Sequence, residues 1–111
     1  MYIQRYKSKY GNKKQEFNGR LYGSKLEAFY AKQFDTAKKG KAIKDFTPQF
    51  KLPLYVNGYF IANYYVDFMV ENNDGSKDLV EIKGFETEVW RLKWKLTEAL
   101  FGEEYKLIVY K

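Results

Sequence analysis

Residues 59–71, YFIANYYVDFMVE, constrain the fold more than any other part of the chain. Aromatic and β-branched side chains dominate this run, which lies between Asn57-Gly58 and Asn72-Asn73-Asp74-Gly75, so it reads as one long strand with a chain reversal at each end. The reversals set its neighbours. On the N-terminal side, 46–55 alternates Phe, Leu and Tyr around Pro48 and Pro53, and the prolines mark it as an edge or irregular strand. On the C-terminal side, DLVEIK at 78–83 is the partner strand. Ahead of this block, Asn18-Gly19 within 16–22 signals a short hairpin. The period then changes. Leu26, Phe29, Tyr30 and Phe34 recur at helical spacing, with Ser24 as N-cap and Gly40 as stop, which predicts a helix over 25–39. After Gly84, Thr87 can cap a second helix carrying Val89, Trp90, Leu92, Trp94, Leu96 and Leu100 and ending at Gly102, followed by a strand at 105–110. The expected order is helix, three strands, helix, strand, in a single small α/β domain whose mixed central sheet is flanked by helices.

The chain has 111 residues and a mass of 13.3 kDa, which suits one domain. With 45% apolar and 20% aromatic residues it carries too much hydrophobic material to stay disordered. No apolar run approaches the ~20 residues of a membrane span, and the N-terminus lacks a signal-peptide core, so the expectation is an intracellular, cytoplasmic protein without membrane contact. There is no histidine and no cysteine. That excludes Ser-His-Asp and Cys-His catalysis, thiolate or imidazole zinc sites and disulfide scaffolds. Of the net charge of +6, five come from Arg5, Lys7, Lys9, Lys13 and Lys14 in residues 1–14, where no acid occurs. Interleaved with Tyr2, Tyr6 and Tyr10, this segment reads as a basic, flexible arm able to neutralise phosphates and stack on bases. A solubilising tail is the plainer alternative.

The chemistry left to such a chain rests on carboxylates, lysines and a hard cation. Asp67 lies between Val66 and Phe68, and strict alternation puts it on the face opposite them. Likewise Glu81 and Lys83 share one face of the next strand, with Val80 and Ile82 on the other. If the two strands pair across the 72–75 turn, Asp67 comes close enough to Glu81 for both to hold one divalent cation. Mg²⁺ takes oxygen ligands and keeps several waters, so two carboxylates and a backbone carbonyl suffice. Lys83 then lies beside the attacking water, where an ammonium helps it lose a proton or stabilises charge building on a phosphate.

Asp67, thirteen residues, then Glu81-Ile82-Lys83 across a hairpin resembles the PD-(D/E)xK nuclease superfamily. Within it, the chain is similar to a small phage-type endonuclease family of Holliday-junction-resolvase type. The elements that carry the likeness are SKLEA at 24–28, QFKL at 49–52, YYVDF at 64–68, EIKG at 81–84 and TEVWRLKWK at 87–95, and together they extend over roughly residues 10–110. Val66 stands where the named motif has proline. The resemblance implies a restriction-endonuclease-like core over 15–111. Asp67, Glu81 and the Ile82 carbonyl would be the metal ligands, Lys83 would lie near the attacking water, and Glu27 would be a further catalytic acid and ligand. Gln49 would be accessory to the site, while Lys9, Lys13, Lys14, Arg91 and Lys95 would contact nucleic acid. Arg91 and Lys95, four apart, share a helical face that Lys93 does not.

Simpler readings exist for several of these residues. Ser24-x-x-Glu27 is also a capping box, Glu81 and Lys83 are also a plausible exposed ion pair, and Trp90 with Trp94 suits a core or a dimer surface better than a stacking platform. The functional expectation is a Mg²⁺- or Mn²⁺-dependent DNA endonuclease acting on branched, recombination-intermediate DNA as a homodimer, with no small-molecule cofactor. By the resemblance it is a phage protein acting in the host cytoplasm. The rival is a non-catalytic nucleic-acid-binding accessory module of the same fold.

Overall fold

The structure, a computed structural model, describes residues 14–111. Of the expected arm only Lys14, which is exposed, falls among them; Lys9 and Lys13 lie outside. Strands β1 (Gln15–Phe17) and β2 (Arg20–Tyr22) form a small antiparallel sheet. Helix α1 (Lys25–Lys39) follows, then β3 (Asp45–Val56), β4 (Tyr59–Glu71), β5 (Lys77–Ile82), helix α2 (Glu88–Phe101) and β6 (Lys106–Tyr110). The second sheet has the order β3-β4-β5-β6, antiparallel except for the parallel β5–β6 pair, which α2 connects. The expected mixed α/β domain is therefore present, in the expected order.

Local chemistry accounts for the boundaries. Both hairpin turns place an Asn and a Gly in succession at positive φ, 50° and 77° for Asn18-Gly19 and 51° and 83° for Asn57-Gly58, the signature of a type I′ turn. Ser24 Oγ accepts the Glu27 N–H at 3.1 Å and starts α1; Thr87 Oγ1 does the same for the Trp90 N–H at 3.0 Å and starts α2. Gly40 and Gly102 end the two helices, each returning its N–H to a carbonyl of the last turn. The predicted 25–39 helix agrees with α1 at both ends.

Each helix packs one side against one face of the sheet, while Leu26 and Phe29 of α1 and Val89, Leu92 and Leu100 of α2 stay exposed. On the α1 side, Tyr22, Ala28, Ala31, Phe68, Val70, Val80 and Ile82 form one cluster, flanked by Phe34 and Phe46. On the α2 side, Leu52, Leu54, Tyr64, Val66, Leu79 and Trp90 form another, flanked by Trp94, Leu107 and Val109. In β5 and β6 the two faces alternate cleanly. In β3 and β4 they do not: Phe46 and Phe68 belong to the α1 side, whereas Phe50 and Val66, also an even number of residues along, belong to the α2 side. The face assignment expected for Asp67 therefore needs correction. Val66 and Phe68 do not share a face, and Asp67 sits at the point where the strand exchanges its two faces. The cause is opposite it, at Gln49, whose φ of 51° is left-handed and breaks the alternation between the Pro48↔Phe68 and Phe50↔Val66 pairs.

Phe68 is fully buried among the rings of Tyr22, Phe34 and Phe46. Truncating such a side chain removes its transfer energy and leaves a cavity. Phe68→Ala should lower the unfolding free energy by about 3–5 kcal/mol in urea titrations, while exposed Leu21→Ala should leave it nearly unchanged.

Candidate active site at the end of the β4–β5 ladder

The β4–β5 pairing runs from Glu71↔Lys77 to Phe68↔Val80 and stops one step short of Asp67 and Glu81. A side chain takes over there. Asp67 Oδ2 accepts the Ile82 N–H at 2.8 Å, so its half-buried carboxylate caps the ladder on the amide between Glu81 and Lys83. Beyond this point β5 holds only to β6, and the Lys83 N–H reaches the Tyr110 carbonyl at 2.8 Å. The predicted approach of the β4 acid to the Glu-x-Lys segment is thus realised through the main chain of that segment.

Glu81 turns to the α2 side and is almost completely buried, at 2% exposure. A carboxylate so placed needs donors. Tyr64 donates its hydroxyl to Glu81 Oε1, and Trp90 donates its indole N–H to the same oxygen at 3.3 Å and to the Tyr64 hydroxyl oxygen at 2.9 Å. Burial, and next the Glu81 carboxylate, push the Tyr64 phenol far above its ordinary range, with Asp67 adding in the same direction. Tyr64 therefore stays a proton donor to Glu81 throughout the physiological range. Lys83 lies on the same side, its Nζ 5.1 Å from the centroid of the Trp90 ring. Glu81 and Lys83 share a face as expected, and Trp90 is what they share: its N–H edge serves the acid and its π-face holds the ammonium.

The other predicted residues sit on neighbouring elements. Glu27 is buried at 3% exposure in the first turn of α1, its N–H bonded to Ser24 Oγ as the first half of a capping box, and its charge reaches Tyr22 on the α1 side. Gln49 is exposed and lies across from Asp67 in the β3–β4 pair. Arg91 and Lys95 line one open depression of about 350 Å³ with Trp90, Trp94, Glu98 and Lys111, and Lys93 does not line it, as the helical spacing predicts. In that depression Glu86 accepts from Lys111 at 2.9 Å and from Arg91 at 3.3 Å, and these two partners hold its carboxyl below the usual range.

Asp67, Glu81 and the Ile82 carbonyl are oxygen donors of the kind a hard cation takes. Among the described residues no group of three or more His, Cys, Asp or Glu side chains is placed to hold a metal ion, so Glu27 does not complete a three-acid set with Asp67 and Glu81. Tyr64 and Trp90 are the functional side chains that sequence reasoning did not assign. The signal was indirect, since a buried acid requires polar-tipped aromatics nearby and residues 64–68 and 87–95 contain them.

A family model matches residues 7–110, and the chain belongs to that family, described as a protein of unknown function, DUF1064. No curated protein matches the chain, and no solved structure matches it.

Tyr64→Phe removes one donor from a buried carboxylate while keeping the ring. It should cost about 1.5–3 kcal/mol in urea unfolding at neutral pH, the range for a hydrogen bond to a charged group, and clearly more than Tyr65→Phe at the exposed neighbouring position.

Proposed function

We propose that the protein is a divalent-metal-dependent DNA endonuclease with a restriction-endonuclease-like core. One observation carries this reading: Asp67 caps the Ile82 amide, between a buried Glu81 and a Lys83 that both rest on Trp90. Acid, acid and ammonium then surround one strand end where the main chain leaves its β4 partner. Bound Mg²⁺ or Mn²⁺ would supply Lewis-acid stabilisation of the charge that develops on the phosphate. The chain's own residues do the rest. Asp67 and Glu81 furnish carboxylate oxygens, with Tyr64 and Trp90 fixing the rotamer of Glu81. Lys83, held on an aromatic face, presents a pre-oriented cation to the attacking water or to a phosphate oxygen. The likeness to phage-type Holliday-junction resolvases favours branched DNA as substrate, and a homodimer would bring two such sites to it.

The alternative is a nucleic-acid-binding accessory module. What favours it is that Glu81 already satisfies two donors inside the protein and that among the described residues no group of three acids is placed to hold a metal ion. Metal binding separates the two readings. In the nuclease, Mn²⁺ raises the melting temperature of the wild type and not of Glu81→Gln; in the module it raises neither.

Cleavage of labelled duplex, flap and four-way-junction DNA in Mg²⁺ or Mn²⁺ should be detectable for the wild type and abolished by a chelator. Asp67→Asn, Glu81→Gln and Lys83→Ala should each slow it by about 10²-fold or more, the scale of losing one such group. If the wild type cuts none of these substrates, or Asp67→Asn cuts equally fast, the enzyme reading is wrong. Removing residues 1–14 should weaken DNA binding and flatten its salt dependence by up to about five phosphate contacts, one for each basic residue lost. Unchanged affinity would reduce the arm to a solubilising tail.

A further inference from the structure

The hairpin of β3 and β4 outruns the rest of its sheet. β5 pairs with β4 only over residues 68–71, so from Tyr59 to Val66 the β5-facing edge of β4 has no strand partner among the described residues. At the free end, Tyr55, Tyr59, Phe60, Ile61 and Tyr65 are each more than half exposed, with Tyr59 at 75%. Tyr55 and Phe60 are packed edge to face at 5.6 Å and so form an ordered apolar surface. Residues 52–66 contain no Lys, Arg, Asp or Glu, although 31% of the whole chain is charged.

We infer that this unpaired β4 edge is the surface on which a second copy of the chain docks, with β4 running antiparallel to β4 of the partner across a two-fold axis. Three observations select this occupant. A nucleic acid demands cations, and the ribbon has none over residues 52–66. Strand addition to β3 is blocked, because Pro48 and Pro53 lack N–H donors and mark that strand as the closed edge, whereas β4 contains no proline. An antiparallel pair of identical strands is isologous, so an uncharged, proline-free edge complements its own copy without any further feature. The area is of the right order. Four β4 side chains of ~200 Å² each, a little over half exposed, offer ~450 Å² per copy before the main chain and smaller residues are included, against ~800 Å² per partner in a standard interface. The edge adjoins the β4–β5 site at Tyr64, whose buried side chain serves Glu81, and the docking does not depend on what that site does.

Sedimentation over a hundredfold concentration range reads association separately from any cleavage. The wild type should sediment as a dimer of the 13.3-kDa chain. Ile61→Lys combined with Tyr65→Lys places four like charges at the axis and should raise the dimer dissociation constant at least a hundredfold, with near-ultraviolet circular dichroism unchanged. Leu92→Lys, at an equally exposed position on α2, should leave the dimer intact. Because the chain has no cysteine, single-cysteine variants from Phe60→Cys to Asn63→Cys provide a second readout that needs no disruption. At least one of them, nearest the axis, should form a disulfide-linked dimer on mild oxidation. A wild type that remains monomeric, a dimer that Leu92→Lys dissociates and the hairpin variant does not, or a cysteine series with no cross-link would each overturn the inference.

Discussion

A carboxyl group at 2% exposure is costly to bury inside a 111-residue domain unless hydrogen-bond partners surround it, and Glu81 obtains them from two other elements. Tyr64 comes from β4 and Trp90 from the first turn of α2, so one buried acid ties together β4, β5 and α2. The rest of the α2-side core follows from that node. Trp90 is held by its indole N–H, and Trp94 stacks on it at 5.7 Å and meets Tyr64 edge to face, which sets the roll of α2 on the sheet. Lys83 rests its ammonium over the same indole. A helix that packed here on apolar contacts alone could slide or rotate at modest cost. A helix whose tryptophan must reach a particular carboxylate oxygen cannot, because losing that contact leaves a buried charge short of a donor.

The second constraint is the left-handed residue Gln49. A twelve-residue strand paired with a thirteen-residue one would present a single face to each helix if alternation held throughout. It does not hold, and the exchange of faces at Gln49 and Asp67 has two effects. It lets Phe46 and Phe68 fill the α1 side while Phe50 and Val66 fill the α2 side, so one long hairpin serves two cores. It also frees Asp67 from an ordinary place in either core, and its carboxylate replaces the carbonyl that would continue the β4–β5 ladder. The candidate site is thus a consequence of how the sheet ends, since the same distortion that separates the strands also presents Asp67 to the Ile82 amide.

This division explains what could be read in the residues. Helix α1, the two Asn-Gly turns and the order of strands were legible because each is set by local chemistry: a serine cap, a glycine stop, paired positive φ values, alternating aromatic residues. The approach of Asp67 to residues 81–83 was legible too, since the length of the 72–75 turn sets the register of its hairpin. The face of Asp67 was not. Period two assumes uniform extended backbone, and nothing in the local composition around Gln49 marks it as left-handed, since glutamine has no special preference there. The partners of Glu81 were equally hidden, because a contact between residues 64, 81 and 90 depends on how α2 returns over the sheet. The capping role of Ser24 toward Glu27 was readable; that Glu27 does not complete a three-acid set with Asp67 and Glu81 depended on the packing of both helices.

Charge placement carries the remaining step. Five of the six net positive charges lie in residues 1–14, and the hairpin from 52 to 66 has none, so the described domain offers DNA only scattered cations. On α2, Arg91 is engaged with Glu86, which also holds Lys111. Both partners depress the Glu86 carboxyl, so it stays ionised as pH falls into the mildly acidic range and the pairs persist there. Exposed ion pairs of this kind are weak and salt-sensitive, and an incoming phosphate competes for Arg91 on equal terms. A duplex laid along the α2 depression would therefore exchange one exposed partner for another, with little gain at Arg91 and more at Lys95. In the proposed DNA complex the larger electrostatic contribution would fall to the N-terminal segment, where five cations have no acid within their own stretch of sequence. On the proposed reading, grip would come from the basic N-terminal segment and geometry from a nearly neutral domain, which would leave the charge-free ribbon available for protein contact.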